Sequence, residues 1–134
     1  MFVQHTTVQL HHTDAFGIIF FSNQFVLCHS CFQEWLESVG LQFPPNRQLA
    51  TELLVIVHAE SDYLGPIQLS DRLAISYQVE RIGTTSVTNL FTMTNQHGIT
   101  VGRVRTVHVL IDAKTSAKKV LPEKWRVALT GNMQ

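Results

Sequence analysis

The chain has 134 residues, 45% of them hydrophobic and 15% charged, and its ten basic side chains balance its ten acidic ones. A folded chain of this length buries about two thirds of the surface that its unfolded form exposes. The composition therefore favours one folded domain over residues 1–134 and disfavours a disordered or fibrous protein. The charge balance provides no basic stripe for a phosphate backbone, so we expect no nucleic-acid partner.

The sequence lacks the segments that direct a protein to a membrane. Its N-terminal residues contain no basic segment followed by an apolar stretch. No run of about 18 apolar residues, the length that spans a bilayer, occurs anywhere. We therefore expect a cytoplasmic protein without a membrane partner.

The first two predicted elements are a strand and a helix. Residues 2–10 are rich in β-branched and aromatic side chains, which predicts a strand. Ser22 or Asn23 then offers a helix N-cap, and apolar side chains recur at steps of three and four residues until Gly40. These apolar positions are Phe25, Cys28 or His29, Phe32, Leu36 and Val39. The spacing predicts one amphipathic helix.

The second half of the chain predicts a sheet. The proline-containing segment 41–47 is predicted as a loop. Four β-rich runs follow, at 53–63, 71–82, 85–95 and 99–111. In the run 71–82, alternate residues are apolar, which indicates a strand with one buried face; they are Leu73, Ile75, Tyr77 and Val79.

These elements predict an α+β fold. A single helix among antiparallel strands packs most simply when one five-stranded sheet wraps around it. A short closing helix is also expected after Pro122, because proline is favoured at a helix start.

The two cysteines, Cys28 and Cys31, have the spacing of a redox pair or of half a zinc site. A redox pair of this kind lies at a helix start, whereas these residues lie inside the apolar pattern of the predicted helix. A zinc site needs two further ligands at a usable spacing, and the seven histidines form no such set. We therefore expect both cysteines to pack in the core, with no metal and no cofactor.

Asp14 is the one carboxylate in an apolar stretch between the first strand and the helix. The free amides at a helix start form a favourable site for developing negative charge. A carboxylate beside them is therefore a candidate catalytic group. The structural alternative is that Asp14 only stabilises a turn by accepting the amide hydrogen two residues ahead.

The run 13–23 (Thr-Asp-Ala-Phe-Gly-Ile-Ile-Phe-Phe-Ser-Asn) resembles the signature of the 4-hydroxybenzoyl-CoA thioesterase group of hotdog-fold proteins. In that signature an Asp, a Gly three residues later and two apolar residues lead into the central helix. Further stretches of the chain are similar to the same group: 62–66, 70–73, 80–86 and 121–122. Four shorter segments resemble the cyanobacterial-type 1,4-dihydroxy-2-naphthoyl-CoA thioesterases of phylloquinone synthesis: 23–25, 28–29, 35–36 and 57–59.

The resemblance implies a hotdog fold and a homodimer or homotetramer with active sites between subunits. It implies that Asp14 is the catalytic carboxylate, acting either as nucleophile or as general base. It further implies that the backbone amide of Phe21 donates to the thioester oxygen. A thiolate leaving group has a pKa of only about 8.5, so no strong general acid is needed.

Four residues are candidates for binding the substrate: Gly17, Phe25, His29 and His58. For Phe25 the alternative is an ordinary core position, and for the two histidines it is a packed or exposed structural role. His11 and His12 precede Asp14 and receive no catalytic role.

The chain also departs from the family pattern. Ser70 stands where relatives have glycine, and a basic cluster of some relatives is reduced to Arg81. The candidates for holding the coenzyme A phosphates are then Arg103, Arg105, Lys118 and Lys119, although a solvated charged face explains each of them as well.

The function expected from this resemblance is hydrolysis of an acyl-CoA thioester, with 1,4-dihydroxy-2-naphthoyl as the acyl group. Within the same family, the alternative is a short- or medium-chain acyl-CoA or acyl-carrier-protein thioesterase. The alternative from another class is a non-catalytic module that binds an acyl ligand or only dimerises.

Overall fold

The computed structural model describes residues 1–41, 43–44 and 46–133, with the backbone alone at Arg47. Five strands are formed: β1 (Phe2–Thr7), β2 (Glu52–Tyr63), β3 (Arg72–Ile82), β4 (Ser86–Thr94) and β5 (Thr100–Asp112). Two α-helices accompany them, α1 (Asn23–Ser38) and α2 (Glu123–Gly131), with short 3-10 helices at Leu10–His12 and Arg47–Leu49. Of the predicted loop 41–47, positions 42 and 45 lie outside the described residues. No helix in the described part of the chain is long and apolar enough to cross a membrane.

The strands form one antiparallel sheet in the order β1-β3-β4-β5-β2. Strands β1 and β2 are therefore the two edges. Helix α1 packs against β1, β3 and β5 on one face of this sheet. The five-stranded antiparallel sheet and the α+β class are thus confirmed.

The core forms where the apolar stripe of α1 meets the inward residues of the strands. On β3 the alternating residues predicted to face inward, from Leu73 to Val79, are all buried. On α1, Cys28, Phe32 and Leu36 are buried as the periodicity predicts, whereas His29 and Val39 are exposed. Both cysteine thiols lie in this core, and burial raises their pKa. Buried protonated thiols of this kind contribute packing rather than redox chemistry.

The C-terminus of α1 is stabilised by Gly40. This glycine has φ +74°, and its amide donates to the Glu37 carbonyl at 3.2 Å. The Leu41 amide donates to the Leu36 carbonyl at 2.9 Å, which completes a Schellman motif. The predicted end at Gly40 is therefore two residues beyond the last helical residue, Ser38, because the glycine reverses the chain just after the helix.

One prediction about the elements needs correction. The first strand ends at Thr7 rather than at residue 10, because Leu10–His12 turn into a 3-10 helix. The short closing helix expected after Pro122 is present, so α1 is not the single helix of the fold. Helix α2 follows Pro122 and packs against β3, where the Asn132 side chain donates to the Tyr77 carbonyl at 3.2 Å.

Ser70, which stands where relatives have glycine, adopts a backbone conformation that glycine favours. Its φ is +71°, in the left-handed region that glycine adopts freely. A side chain in this region is disfavoured by about 1–2 kcal/mol. The turn before Asp71 therefore keeps the backbone conformation suited to glycine although the residue has changed. Asp71 stabilises the turn by accepting the Gln68 amide at 2.8 Å.

Candidate active site

Asp14 begins a tight turn between the first 3-10 helix and α1. The Asp14 amide donates to the Ile18 carbonyl at 2.9 Å, and the Gly17 amide donates to the Asp14 carbonyl at 3.1 Å. Thr13 pairs with Ile19 in an antiparallel bridge that closes the loop. Gly17 has φ +76°, a left-handed conformation that glycine adopts without the penalty of a side chain.

The Asp14 carboxylate is half-buried and makes one hydrogen bond. Its Oδ1 accepts the Phe16 amide at 2.8 Å, which is the turn-stabilising contact that the structural alternative requires. Among the described residues, no donor is found for Oδ2. The turn contact therefore leaves one carboxylate oxygen available for a ligand.

The helix start beyond Asp14 has unsatisfied amides. Ser22 is the N-cap residue, but its side chain makes no capping hydrogen bond, and the first turn of α1 contains no acidic residue. Within the described part of the chain, the Phe21 amide has no acceptor. Free amides at a helix start attract negative charge. The chain therefore offers a donor where an oxyanion site is predicted.

Three contacts hold the peptide groups of this helix start. The Tyr63 hydroxyl donates to the Phe21 carbonyl at 2.7 Å. The His12 carbonyl accepts both the Phe20 amide at 2.9 Å and the Asn23 side-chain amide at 2.8 Å. The role of Tyr63 was not predicted from the sequence, since a tyrosine 42 residues away gives no local signal.

Gln24 fixes the helix start to the end of β2. Its Nε2 donates to Ser61 Oγ at 2.8 Å and to the Asp62 carbonyl at 2.9 Å. The side chain is fully buried, and a Cβ on Gly102 would lie 2.5 Å from Nε2. Gly102 is therefore required for this approach. The sequence predicts no role for Gln24 beyond its place in the family-like segment 23–25.

An apolar cavity of about 330 Å³ lies between the first turns of α1 and the sheet. This volume is within the range of small-molecule sites. Helix α1, β2 and the central strands line it with Phe25, Val26, Cys28, His29, Ile56, Ala59, Phe91, Thr106 and His108. Phe25 lies in the first turn of α1, four residues after Phe21, so the cavity lining begins next to the helix start in the chain.

A chain of buried polar groups lies on the sheet side of this cavity. The Tyr77 hydroxyl donates to Asn89 Oδ1 at 2.7 Å. Asn89 Nδ2 lies 3.1 Å from His108 Nδ1 and 3.5 Å from Thr106 Oγ1. Burial, together with a smaller effect of the nearby His29, lowers the pKa of His108 to about 4. The imidazole of His108 is therefore neutral at pH 7.

This polar chain was not predicted from the sequence. The sequence of β4 nevertheless contains a sign of it, because one of the inward positions is polar and the others are apolar. These positions are Val87, Asn89, Phe91 and Met93. A polar residue at an inward position needs a hydrogen-bonding partner. The partners lie on β3 and β5, and only the strand register identifies them.

Two of the four predicted substrate-binding residues line the apolar cavity, and the other two lie elsewhere. Phe25 and His29 both line the apolar cavity, and the His29 and His108 rings are parallel with centroids 6.3 Å apart. His58 is not among the described residues that line it. The His58 side chain is 57% exposed on β2, with Nε2 3.7 Å from Glu60 Oε1. Gly17 shapes the Asp14 turn.

His12 has a structural role beside Asp14. It is buried, and its Nδ1 accepts the Gln9 amide at 2.9 Å. Burial and the neighbouring His11 lower its pKa. In the described part of the chain, no group of three or more metal-ligating side chains occurs.

Two of the four candidate phosphate-binding residues are engaged by carboxylates. Arg105 contacts Glu80 at 2.6 and 3.0 Å and Glu60 at 3.3 Å, which raises the pKa of its guanidinium. Lys119 Nζ lies 3.2 Å from a Glu52 carboxylate oxygen. These ion pairs fit the solvated charged face that was the alternative explanation.

Known proteins share both the sequence and the fold of this chain. The family model of the thioesterase-like superfamily matches residues 8–129. A 1,4-dihydroxy-2-naphthoyl-CoA hydrolase of Nostoc punctiforme is 31% identical over 92% of this chain and 82% of its own length. The corresponding hydrolase of a Synechococcus strain is 35% identical over 87% of this chain and 81% of its own length.

The fold agrees with a solved structure. The crystal structure of a 1,4-dihydroxy-2-naphthoyl-CoA thioesterase from Synechocystis superposes with a TM-score of 0.90 and 25% identity, covering 96% of this chain and 95% of that one. The family model spans nearly the whole chain, and strands β2 to β5, the helix start and the Asp14 turn lie within the matched residues. This protein therefore belongs to the thioesterase-like superfamily and has its hotdog fold.

Proposed function

We propose that this protein hydrolyses an aryl acyl-CoA thioester, with 1,4-dihydroxy-2-naphthoyl-CoA of phylloquinone synthesis as its substrate. The observation that carries the proposal is the half-buried Asp14 carboxylate beside an uncapped helix start, followed by an apolar cavity along the same helix. The names of the cyanobacterial relatives support the acyl group. One thioesterase domain over residues 1–134 is part of the proposal.

In the proposed reaction, Asp14 attacks the thioester carbonyl or activates a water molecule that does so. The carbonyl oxygen gains negative charge and accepts a hydrogen bond from the Phe21 amide. Donors of this kind contribute a factor on the order of a hundred to a thousand in turnover. Coenzyme A then leaves as a thiolate, which needs no strong acid. Where Asp14 is the nucleophile, water then hydrolyses the acyl–Asp14 anhydride, which releases the acid and restores the carboxylate. Gly17, Phe25, His29 and His58 are the proposed substrate contacts, with Phe25 and His29 at the acyl cavity.

Acyl selectivity tests the proposal directly. A flat ring fills a slot between apolar side chains, whereas a flexible alkyl chain loses more rotamer freedom on binding and leaves gaps. We expect kcat/KM for 1,4-dihydroxy-2-naphthoyl-CoA to exceed that for hexanoyl-CoA by roughly ten- to two-hundredfold. Benzoyl-CoA should fall between them.

Equal or better efficiency with hexanoyl-CoA would reject the aryl substrate and favour an aliphatic thioesterase. A folded protein that hydrolyses none of the three would favour a non-catalytic acyl-binding module.

We also propose that the protein is a homodimer or homotetramer with its active sites between subunits. Strand β2 is an edge of the sheet, and its residues 56–60 are exposed on both faces. Val57 is 59% exposed there, and near the Asp14 turn Phe16 is 87% exposed. Exposed apolar surface of this kind marks an interaction site. A second copy seated on β2 would cover the open side of the acyl cavity.

The same valine-to-lysine substitution at each edge of the sheet tests whether β2 forms the subunit interface. Val57→Lys on β2 is expected to shift the protein to monomer in light scattering and to lower turnover with it, because a lysine must then be desolvated at the interface. Val3→Lys on the opposite edge, where Val3 is 42% exposed, is the matched control and should leave both unchanged. A wild-type monomer with full activity at the assay concentration would contradict the proposal.

A further inference from the structure

The donor and acceptor roles along the buried polar chain fix the proton on His108. The Tyr77 hydroxyl donates to Asn89 Oδ1, so the Asn89 amide nitrogen faces the other way. That nitrogen carries two hydrogens and no lone pair for accepting. His108 Nδ1, which lies 3.1 Å from it, must therefore accept. A neutral imidazole that accepts at Nδ1 carries its hydrogen on Nε2.

The Nε2–H group of His108 is a donor without a protein partner. Among the described residues, no acceptor for Nε2 is found, although the His108 side chain is only 2% exposed. Nε2 is not among the fully enclosed, partnerless side-chain atoms of the described residues. It therefore remains in contact with open space. His108 lines the apolar cavity, where the remaining lining is almost entirely carbon. An unsatisfied donor beside an apolar cavity favours a ligand that brings an oxygen atom.

The surroundings hold His108 in one orientation. Its ring stacks on Phe32 with centroids 4.9 Å apart and lies parallel to His29 at 6.3 Å. Its neighbour Asn89 is fixed by Tyr77 and Thr106, which come from the two adjacent strands. A donor with a fixed direction discriminates among ligands better than a mobile one, because no reorientation is needed on binding.

We propose that His108 is a specificity-determining residue, whose Nε2–H donates a hydrogen bond to an oxygen substituent on the ring of the bound aryl acyl group. This inference rests on the proposed thioesterase function. It adds that the cavity selects ring-hydroxylated aryl acyl groups over unsubstituted ones of the same shape. Without the ring oxygen, the buried donor stays unpaired and binding in the transition state is weakened.

Two substrates of matched shape provide the kinetic test. Wild-type kcat/KM for 1,4-dihydroxy-2-naphthoyl-CoA should exceed that for 2-naphthoyl-CoA by about tenfold or more, since a site built to bind a hydroxyl rejects an analogue that lacks it. In His108→Phe the ring remains aromatic but the donor is lost, so this ratio should fall to near one while 2-naphthoyl-CoA is still hydrolysed. His5→Phe, on an exposed position of β1 outside this cavity, is the matched control and should keep the wild-type ratio.

The outcomes separate the two proposals. An unchanged substrate ratio in folded His108→Phe overturns the role of His108 and leaves the thioesterase function standing. A wild-type enzyme that hydrolyses neither naphthoyl ester overturns the proposed function itself. Tyr77→Phe provides a second variant, because loss of the hydroxyl frees Asn89 and should reduce the ratio without removing the imidazole.

A measurement on the wild-type protein needs no variant to fold. Nitrogen chemical shifts of the ¹⁵N-labelled imidazole distinguish the two neutral tautomers. We expect His108 to carry its proton on Nε2 at pH 7. A proton on Nδ1 would make Nε2 an acceptor and would overturn the proposal.

Discussion

Replacing Asp14 by asparagine is expected to lower turnover at least about a hundredfold while the fold is retained. Asparagine keeps a side-chain oxygen that accepts the Phe16 amide, so the turn contact survives. It lacks the negative charge and the reactivity of a carboxylate. Turnover is measured at saturating 1,4-dihydroxy-2-naphthoyl-CoA, and circular dichroism checks the fold.

The comparison with Asp14→Ala separates the two roles of this residue. Alanine removes both the turn acceptor and the carboxylate, and we expect a loss in turnover at least as large as for asparagine. If Asp14 only stabilised the turn, the asparagine variant would keep near-normal turnover and alanine alone would lose it. That pattern would refute the catalytic role.

Acidification from pH 6.5 to 4 is expected to lower the free energy of unfolding by about 3 kcal/mol through His108 alone. Burial lowers the pKa of His108 from 6.5 to about 4 in the folded protein. Between these values the unfolded chain binds a proton that the folded chain does not. Stability is therefore fully present above pH 6.5 and is lost as the pH falls towards 4. Urea unfolding at several pH values measures the change.

His108→Gln is the control for this prediction, because glutamine does not titrate. The difference in unfolding free energy between variant and wild type should shrink as the pH falls from 6.5 to 4. His12 also has a lowered pKa and contributes in the same direction in both proteins. Glu80 and Asp112 also have lowered pKa values. They affect the free energy of unfolding only below their usual pKa values of 4.5 and 3.8. Parallel stability curves for the two proteins would contradict the assignment to His108.

The sequence by itself determined the elements and the family. The period-two pattern from Leu73 to Val79 predicted the buried face of β3, because side chains alternate across a strand whatever it pairs with. The apolar spacing of α1 and the glycine after it predicted the helix and its end. The motif around Asp14 pointed to the thioesterase family through residues that are contiguous in the chain.

Only the tertiary structure decided which distant residues meet. Tyr77, Asn89 and His108 lie on three strands, and they touch because the register sets Val79 opposite Asn89 and Val87 opposite His108. Tyr77 was predicted as an inward core residue, but the partner of its hydroxyl was not. The exposure of residues 56–60 of β2 likewise follows from tertiary packing, because helix α1 packs mainly against β1, β3 and β5. Strand order and register arise from packing between segments far apart in the chain, and periodicity within one segment carries no information about them.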